Sequence, residues 1–170
     1  MIISPNNLAD IRDQHQVEKI VLTSGTFDLL HVGHLRYLNA IKALGDVVIV
    51  MLSGDARIKA RKGPARPIIP EGDRAKMVDA LKPVDYVFID PATPAPTELR
   101  SSSATPSEID PVYAKILDAL QPDLYATDGP DPRFWNSLEE SRKTIVPRSE
   151  SADDVFGSTT GIIEYIKTNG

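Results

Sequence analysis

Two histidines three residues apart, His31 and His34, are the residues of this sequence best suited to chemistry. They lie in the stretch GTFDLLHVGH, which joins a short apolar run to a helical pattern. Residues three apart at the start of a helix project from one face. Two imidazoles placed there can donate hydrogen bonds to phosphoryl oxygens as charge develops. The alternative is a pair of surface or metal-site histidines, although no third ligand lies at a recognisable spacing.

The turn before the histidines is suited to phosphate binding. Gly25 has no Cβ, so the backbone there can approach an anion closely. The N–H groups of Thr26 and Phe27, together with the positive end of the following helix, favour phosphate. Asp28 and Gly33 complete the fixed spacing of this candidate nucleotide-binding turn.

A basic segment follows the second apolar run, in a chain whose net charge is −5. It begins after Ser53, Gly54 and Asp55, which lie where open α/β sheets place their ligands. A triphosphate and a second phosphorylated substrate need cations to offset their charge. We therefore interpret residues 56–67 as a constrained binding loop rather than a solvated charged loop, and assign Lys62 to catalysis. The candidate acceptor-binding residues are Ser53, Asp55, Lys59, Arg61, Arg66 and Arg74.

Three of the candidate residues also have a plain structural interpretation. Arg74 begins a helix and either points toward the ligand crevice or pairs with Asp73 or Glu71. Asp128 and Asp131 either contact a ribose, a base or a magnesium ion, or serve as turn residues, for which aspartate is common.

The elements that position these residues alternate between strands and helices. Strands are predicted at 20–22, 47–52, 84–89, 123–127 and 144–146, and helices at 7–14, 34–44, 70–81, 112–120, 134–141 and from 158. The continuous apolar run at 47–52 is typical of a strand buried in a parallel sheet. The hydroxyl residues 158–160 either cap the last helix or bind phosphate. Residues 90–110, rich in Pro, Ser and Thr, form either a functional lid or a disordered loop.

Length and composition bound the function. A chain of 170 residues fits a single domain, 1–170, with a real core. The absence of cysteine excludes disulfides, thiol catalysis and a cysteine-based zinc site. The acidic balance argues against a non-specific nucleic-acid binder. No apolar run approaches a membrane span, so we expect a soluble cytoplasmic protein.

Four stretches extend the pattern beyond the histidines: GTFDLLHVGHLRYL, RKGPARPIIPEGDRAKMVDALKPVDYV, LQPDL and STTGII. Together they resemble the HxGH-type, cytidylyltransferase-like nucleotidylyltransferases. They look most like the adenylyltransferase domain of the enzymes that make ADP-heptose, and more distantly like glycerol-3-phosphate cytidylyltransferase. The resemblance implies an α/β, Rossmann-like fold, with a parallel five-stranded sheet and helices on both faces.

The resemblance also implies an activity. A nucleoside monophosphate, with AMP favoured, would pass from an NTP bound with Mg²⁺ to a phosphorylated acceptor, a sugar 1-phosphate, with release of pyrophosphate. His31 and His34 would contact the α- and β-phosphates, and Lys62 would stabilise phosphate charge. Arg74 matches an arginine that the family keeps at the start of this helix. Ser158, Thr159 and Thr160 match the family's STT, which holds nucleotide phosphates. The other candidate nucleotide-binding residues come from the two turns themselves: Gly25, Thr26, Phe27, Asp28, Gly33, Asp128, Gly129 and Asp131.

Three departures from the family leave the substrate open. The turn at 127–131 lacks the lysine of the heptose enzymes' Lys-Gly-Gly-Asp turn. Asp153 stands where the cytidylyltransferases carry an arginine, and the loop at 90–110 is absent from compact members. The alternatives are a cytidylyltransferase that uses CTP and a polyol phosphate or phosphonate, an FMN adenylyltransferase, and a nucleotide-binding protein without turnover. By analogy the family also suggests a homodimer.

Overall fold

A computed structural model describes residues 1–91, 111–129, 138–147 and 159–169 of the chain. The strands are β1 (Ile20–Gly25), β2 (Val47–Leu52), β3 (Tyr86–Ile89), β4 (Leu124–Thr127) and β5 (Lys143–Ile145). The helices are α1 (Leu8–Gln14), α2 (Val32–Lys42), α3 (Asp55–Lys62), α4 (Glu71–Asp79), α5 (Pro111–Leu120) and α6 (Thr159–Asn169). Short 3₁₀ helices cover Pro5–Asn7 and Glu140–Arg142.

The five strands form one parallel sheet in the order β3-β2-β1-β4-β5. Every residue of β1 and β2 is buried. One face of the sheet packs on α1 and α5 through residues such as Ile11 and Ile116, and the other packs on α2 and α4 through residues such as Leu38 and Val78. The predicted Rossmann-like α/β fold, with helices on both faces, is confirmed.

Helix α3 corrects the prediction of a binding loop at residues 56–67. Of its eight residues only Ile58 is buried, so the sequence has no apolar stripe that would predict a helix here. Its alanines, lysines and arginines are nevertheless good helix formers. Glu71 Oε2 accepts the N–H of Asp55 at 2.6 Å, which caps the first turn. Gly63 ends the helix with φ +91°, a conformation that glycine adopts at low cost.

Strand β2 has the predicted bounds, and β1 runs three residues beyond its predicted end at residue 22. The remaining boundaries of the described elements differ from the predicted ones by at most two residues, as at β5, which starts one residue early. The predicted loop at 90–110 lies outside the described residues from 92 onward, and so does the first half of the predicted helix at 134–141. The second half contains only the start of the 3₁₀ helix Glu140–Arg142. None of the helices in the described parts of the chain combines the length and the hydropathy that crossing a bilayer requires.

The site is positioned by the neighbouring strands β1 and β4. Their register pairs Thr23 with Ala126, so the turns that follow the two strands lie side by side at the carboxyl edge of the sheet. Here the strand order changes direction, because β2 and β3 lie on one side of β1 while β4 and β5 lie on the other. Open α/β sheets place their ligands at such a switch point.

Candidate active site

The turn after β1 is shaped by a glycine and an aromatic ring. Phe27 has φ 47°, and its side chain is buried in the core. A Cβ on Gly25 would lie 2.4 Å from Cε2 of that ring. Close approach to an anion was the predicted reason for the glycine, and the structure adds a second one. Any larger residue at position 25 would displace Phe27, whose N–H is one of the two predicted phosphate donors.

The two histidines lie against each other at the start of α2. His31 precedes the helix in an extended conformation, His34 lies in its first turn, and their ring centroids are 3.8 Å apart. The His34 ring is buried, with its centroid 4.9 Å from that of Phe27. The structure therefore brings together the three features predicted from the sequence motif: the turn, the histidine pair and a helix N-terminus.

One turn further along α2, Tyr37 fastens the helix to the sheet. Its hydroxyl lies 2.6 Å from Thr23 Oγ1 in β1 and donates to the carbonyl oxygen of Ala126 in β4 at 2.9 Å. All three residues are buried. A buried hydroxyl that spans two strands leaves α2 little freedom to shift, so the position of the histidines is set by the sheet.

Asp28 lies inside the protein rather than on the surface of the cleft. Its Oδ1 accepts the N–H groups of Ile68 and Ile69 at 2.7 and 3.0 Å, and its Oδ2 lies 2.6 Å from Nη2 of Arg66. The sequence placed Asp28 among the nucleotide-binding residues and Arg66 among the acceptor-binding ones. In the structure they pair with each other, and the carboxylate holds the segment that leads into α4.

Arg74 is also internal, with no exposed surface. Its Nε donates to the carbonyl oxygen of Ile69 at 2.8 Å, and its Nη2 donates to that of Ser53 at 2.9 Å and to Asp55 Oδ1 at 2.7 Å. Nη1 donates to the carbonyl oxygen of Thr26. The structure does not place Arg74 or its partner Asp55 as free acceptor ligands. The alternative pairing of Arg74 with Asp73 or Glu71 is wrong as well, because its carboxylate partner is Asp55.

Helix α3 brings the predicted cations to the site. Arg61 Nη2 donates to Thr26 Oγ1 at 3.1 Å, so a residue predicted to bind the acceptor contacts one predicted to bind the nucleotide. Lys59 and Lys62 lie on the exposed surface of the last turn of α3. Ser53 is buried beneath the start of α3. The basic residues therefore form one border of the cleft whose floor is the turn after β1.

The turn after β4 forms the opposite border. Thr127 Oγ1 donates to the carbonyl oxygen of Gly129 at 2.7 Å, which closes the turn, and Asp128 is exposed beside it. Thr159 and Thr160 open α6. Asp131 and Ser158 lie outside the described residues, so their predicted roles stay predictions.

A further polar cluster at the same edge of the sheet was missed. Tyr113 in α5 donates to Asp90 Oδ2 at 3.0 Å, and Arg57 Nε lies 3.8 Å from the same oxygen. The Arg57 guanidinium also lies 5.5 Å from the centroid of the Tyr113 ring. Asp90 directly follows β3, so the rule that singled out Ser53 and Asp55 after β2 would have found it.

Among the residues that the structure describes, no group of three or more histidines and carboxylates is arranged to hold a metal ion. The cations of α3 and the amide groups of the turn after β1 make a surface that suits a polyanion.

The matches to known proteins cover the part of the chain that carries these motifs. A family model described as cytidylyltransferase-like matches residues 22–164. The bifunctional protein HldE of Syntrophotalea carbinolica is 38% identical over 165 residues, which cover 92% of this chain and 29% of that protein. HldE of Nitratiruptor sp. is 51% identical over 159 residues, with 92% and 30% covered. The chain thus spans less than a third of the length of these relatives.

Among solved structures, the crystal structure of pantoate-beta-alanine ligase from Francisella tularensis, complexed with beta-gamma ATP and beta-alanine, superposes with a TM-score of 0.58. It is 17% identical and covers 89% of this chain and 68% of the solved one. At that identity the likeness extends to the fold alone.

Proposed function

Because this chain belongs to the cytidylyltransferase-like family and is thus a nucleotidyltransferase domain, we propose that it transfers a nucleoside monophosphate, with AMP favoured, from an NTP to a phosphorylated acceptor. The acceptor we favour is a sugar 1-phosphate, and pyrophosphate leaves. The observation that carries the proposal is the histidine pair at the N-terminus of α2, with ring centroids 3.8 Å apart above the Gly25 turn. The likeness of the motifs to the heptose adenylyltransferases supports ATP and a sugar phosphate.

The reaction is an in-line displacement at the α-phosphorus. An oxygen of the acceptor phosphate attacks, the bond from the α-phosphorus to the bridging oxygen breaks, and pyrophosphate departs with the electron pair. The acceptor phosphate is already ionised at neutral pH, so the step needs no side-chain base. The protein's contribution is positioning and charge stabilisation.

The described residues divide this work between the floor of the cleft, with the start of α2, and the border on α3. The N–H groups of Thr26 and Phe27 and the start of α2 hold phosphate oxygens, and His31 and His34 donate to the oxygens on which charge grows. Lys62, at the end of α3, offsets the charge of the two phosphorylated substrates. Mg²⁺ enters with the NTP, as part of that substrate.

The test is pyrophosphate release by the chain with Mg²⁺, in which ATP, CTP, GTP and UTP are crossed with a panel of sugar 1-phosphates, polyol phosphates and FMN. We expect release with ATP and one sugar 1-phosphate. The His31→Ala variant should lose about 10²–10³ in rate, since it removes one donor to the developing charge.

Release with CTP and a polyol phosphate, or with ATP and FMN, would keep the reaction class and overturn the favoured substrates. Nucleotide binding without release across the panel would contradict the transferase proposal and favour a binding protein. An unchanged rate in His31→Ala would contradict the assignment of the histidines.

A further inference from the structure

The two carboxylate oxygens of Asp28 have separate tasks. Oδ1 accepts two backbone N–H groups, those of Ile68 and Ile69, and Oδ2 faces the guanidinium of Arg66. The side chain is only 1% exposed, so its charge is balanced inside the protein rather than by solvent. This single residue therefore joins the phosphate-binding turn to a segment forty residues further along the chain.

That segment, residues 63–70, is called the strap here, and it connects α3 to α4. Three of its eight residues are proline, and Gly63 begins it with φ +91°. Ile69 is held from both sides, because its N–H is bound by Asp28 and its carbonyl oxygen by Arg74. Since Arg74 also binds the carbonyl oxygen of Thr26, the strap and the turn after β1 form one unit.

We propose that Asp28 is a positioning residue that locks the strap over the turn after β1 and so fixes Arg66 and the adjoining Lys62 where the acceptor phosphate binds. This inference rests on the proposed function. Cations that are held before the substrate arrives stabilise charge without reorganisation during the reaction. An aspartate that bound the nucleotide directly would need an oxygen turned to the cleft. Both oxygens of Asp28 lie inside the protein, Oδ1 on two backbone N–H groups and Oδ2 buried against Arg66.

Two variants separate the tasks of the two oxygens. Asp28→Asn keeps one carbonyl oxygen for the two strap N–H groups but turns an NH₂ group toward Arg66, so only the ion pair is lost. Asp28→Ala removes both contacts. Asp73→Asn is the matched control, because that carboxylate is 61% exposed and its ion pair, within the described parts of the chain, is with Lys76 on the surface.

The first readout is residue-resolved amide exchange of the nucleotide-free protein. In Asp28→Ala, we expect the Ile68 and Ile69 amides to exchange at least about tenfold faster, while those of Leu22 and Val50 in the sheet keep their rates. In Asp28→Asn and in the control, the strap amides should stay within about threefold of the wild type. Unchanged Ile68 and Ile69 exchange in Asp28→Ala would overturn the proposal.

The second readout is steady-state kinetics. A loosened strap must be ordered when the acceptor binds, so we expect the KM for the acceptor to rise about tenfold in Asp28→Ala, with kcat within about threefold. In Asp28→Asn only Arg66 loses its partner, so we expect this KM to rise about threefold, again with kcat within about threefold. A fall in kcat at unchanged KM would mean that Asp28 acts on the transition state directly, which would also overturn the proposal. If Asp28→Ala does not fold, the KM of Asp28→Asn for the acceptor still tests the proposal, and an unchanged value would overturn it. If the wild type releases no pyrophosphate with any pair, the proposed function fails, while the exchange rates still decide whether Asp28 locks the strap.

Discussion

His31 and His34 form one pair, but the protein surrounds them differently. His34 is 2% exposed and packs against the Phe27 ring, whereas His31 is half-buried at the edge of the cleft. We expect both alanine variants to lose about 10²–10³ in turnover. Only His34→Ala should also lower the free energy of unfolding markedly, by about 1–3 kcal/mol, because it leaves a void beside Phe27. Chemical denaturation of both variants checks this, and equal losses of stability would contradict the packing role of His34.

Gly25 is the second residue whose substitution has a definite outcome. Gly25→Ala should destabilise the protein by about 1–3 kcal/mol, because its Cβ would lie 2.4 Å from the Phe27 ring. Gly72→Ala is the matched control: nothing lies within 4 Å of its Cβ position, and it lies in α4. That control should be neutral or stabilising by up to about 1 kcal/mol. Urea unfolding measures both, and similar results for the two would show that the turn tolerates a side chain.

At the scale of elements, Arg74 joins the turns after β1 and β2, the start of α3 and the strap through one guanidinium. Arg74→Met should lower the free energy of unfolding by about 3 kcal/mol or more, since it leaves one buried and two partly buried carbonyl groups and the Asp55 carboxylate without their donor. Lys76→Met, in the same helix, breaks only an exposed ion pair and should change stability by less than about 0.5 kcal/mol. Comparable unfolding midpoints for the two variants would contradict this role.

Element periodicity explains what the sequence could predict. Strand β2 was predicted from the unbroken apolar run at 47–52, and α2 from the helical spacing after His34. The parallel sheet was predicted from the alternation of strands and helices. Helix α3 escaped because Ile58 is its single buried residue, so charge pattern and apolar pattern pointed to a loop.

The site was predictable where its residues are neighbours in sequence. His31, His34 and the Gly25 turn lie within ten residues, and the structure brings them together. The internal role of Asp28 depends on the N–H of Ile68, forty residues further along the chain. That of Arg74 depends on the carbonyl oxygen of Thr26, 48 residues earlier, in a turn whose conformation is set by the folded structure. No local pattern carries that information, and the buried Arg74 resembles a cleft-facing arginine in sequence.

For the whole molecule, stability is unevenly distributed. Every residue of β1 and β2 is buried, whereas α6 has no buried residue. We expect amides of β1 and β2 to exchange only through global unfolding, and those of α6 through local opening that costs at least about 3 kcal/mol less. Native-state hydrogen exchange in increasing denaturant measures both. Equal opening energies would contradict the expected weak attachment of α6.

The strand order has a consequence for the newly made chain. β1 is central, yet its second neighbour is far away in sequence: Ile20 and Asp123, joined by a 2.8 Å hydrogen bond, are 103 residues apart. Translation at typical rates takes roughly 5–20 s to cover that distance. During this interval β1 can pair with β2, while the backbone groups of its other edge, which begins with Ile20, Val21 and Leu22, stay open to pairing with other chains. We therefore expect this chain to be most prone to aggregation during translation, before β4 has emerged from the ribosome.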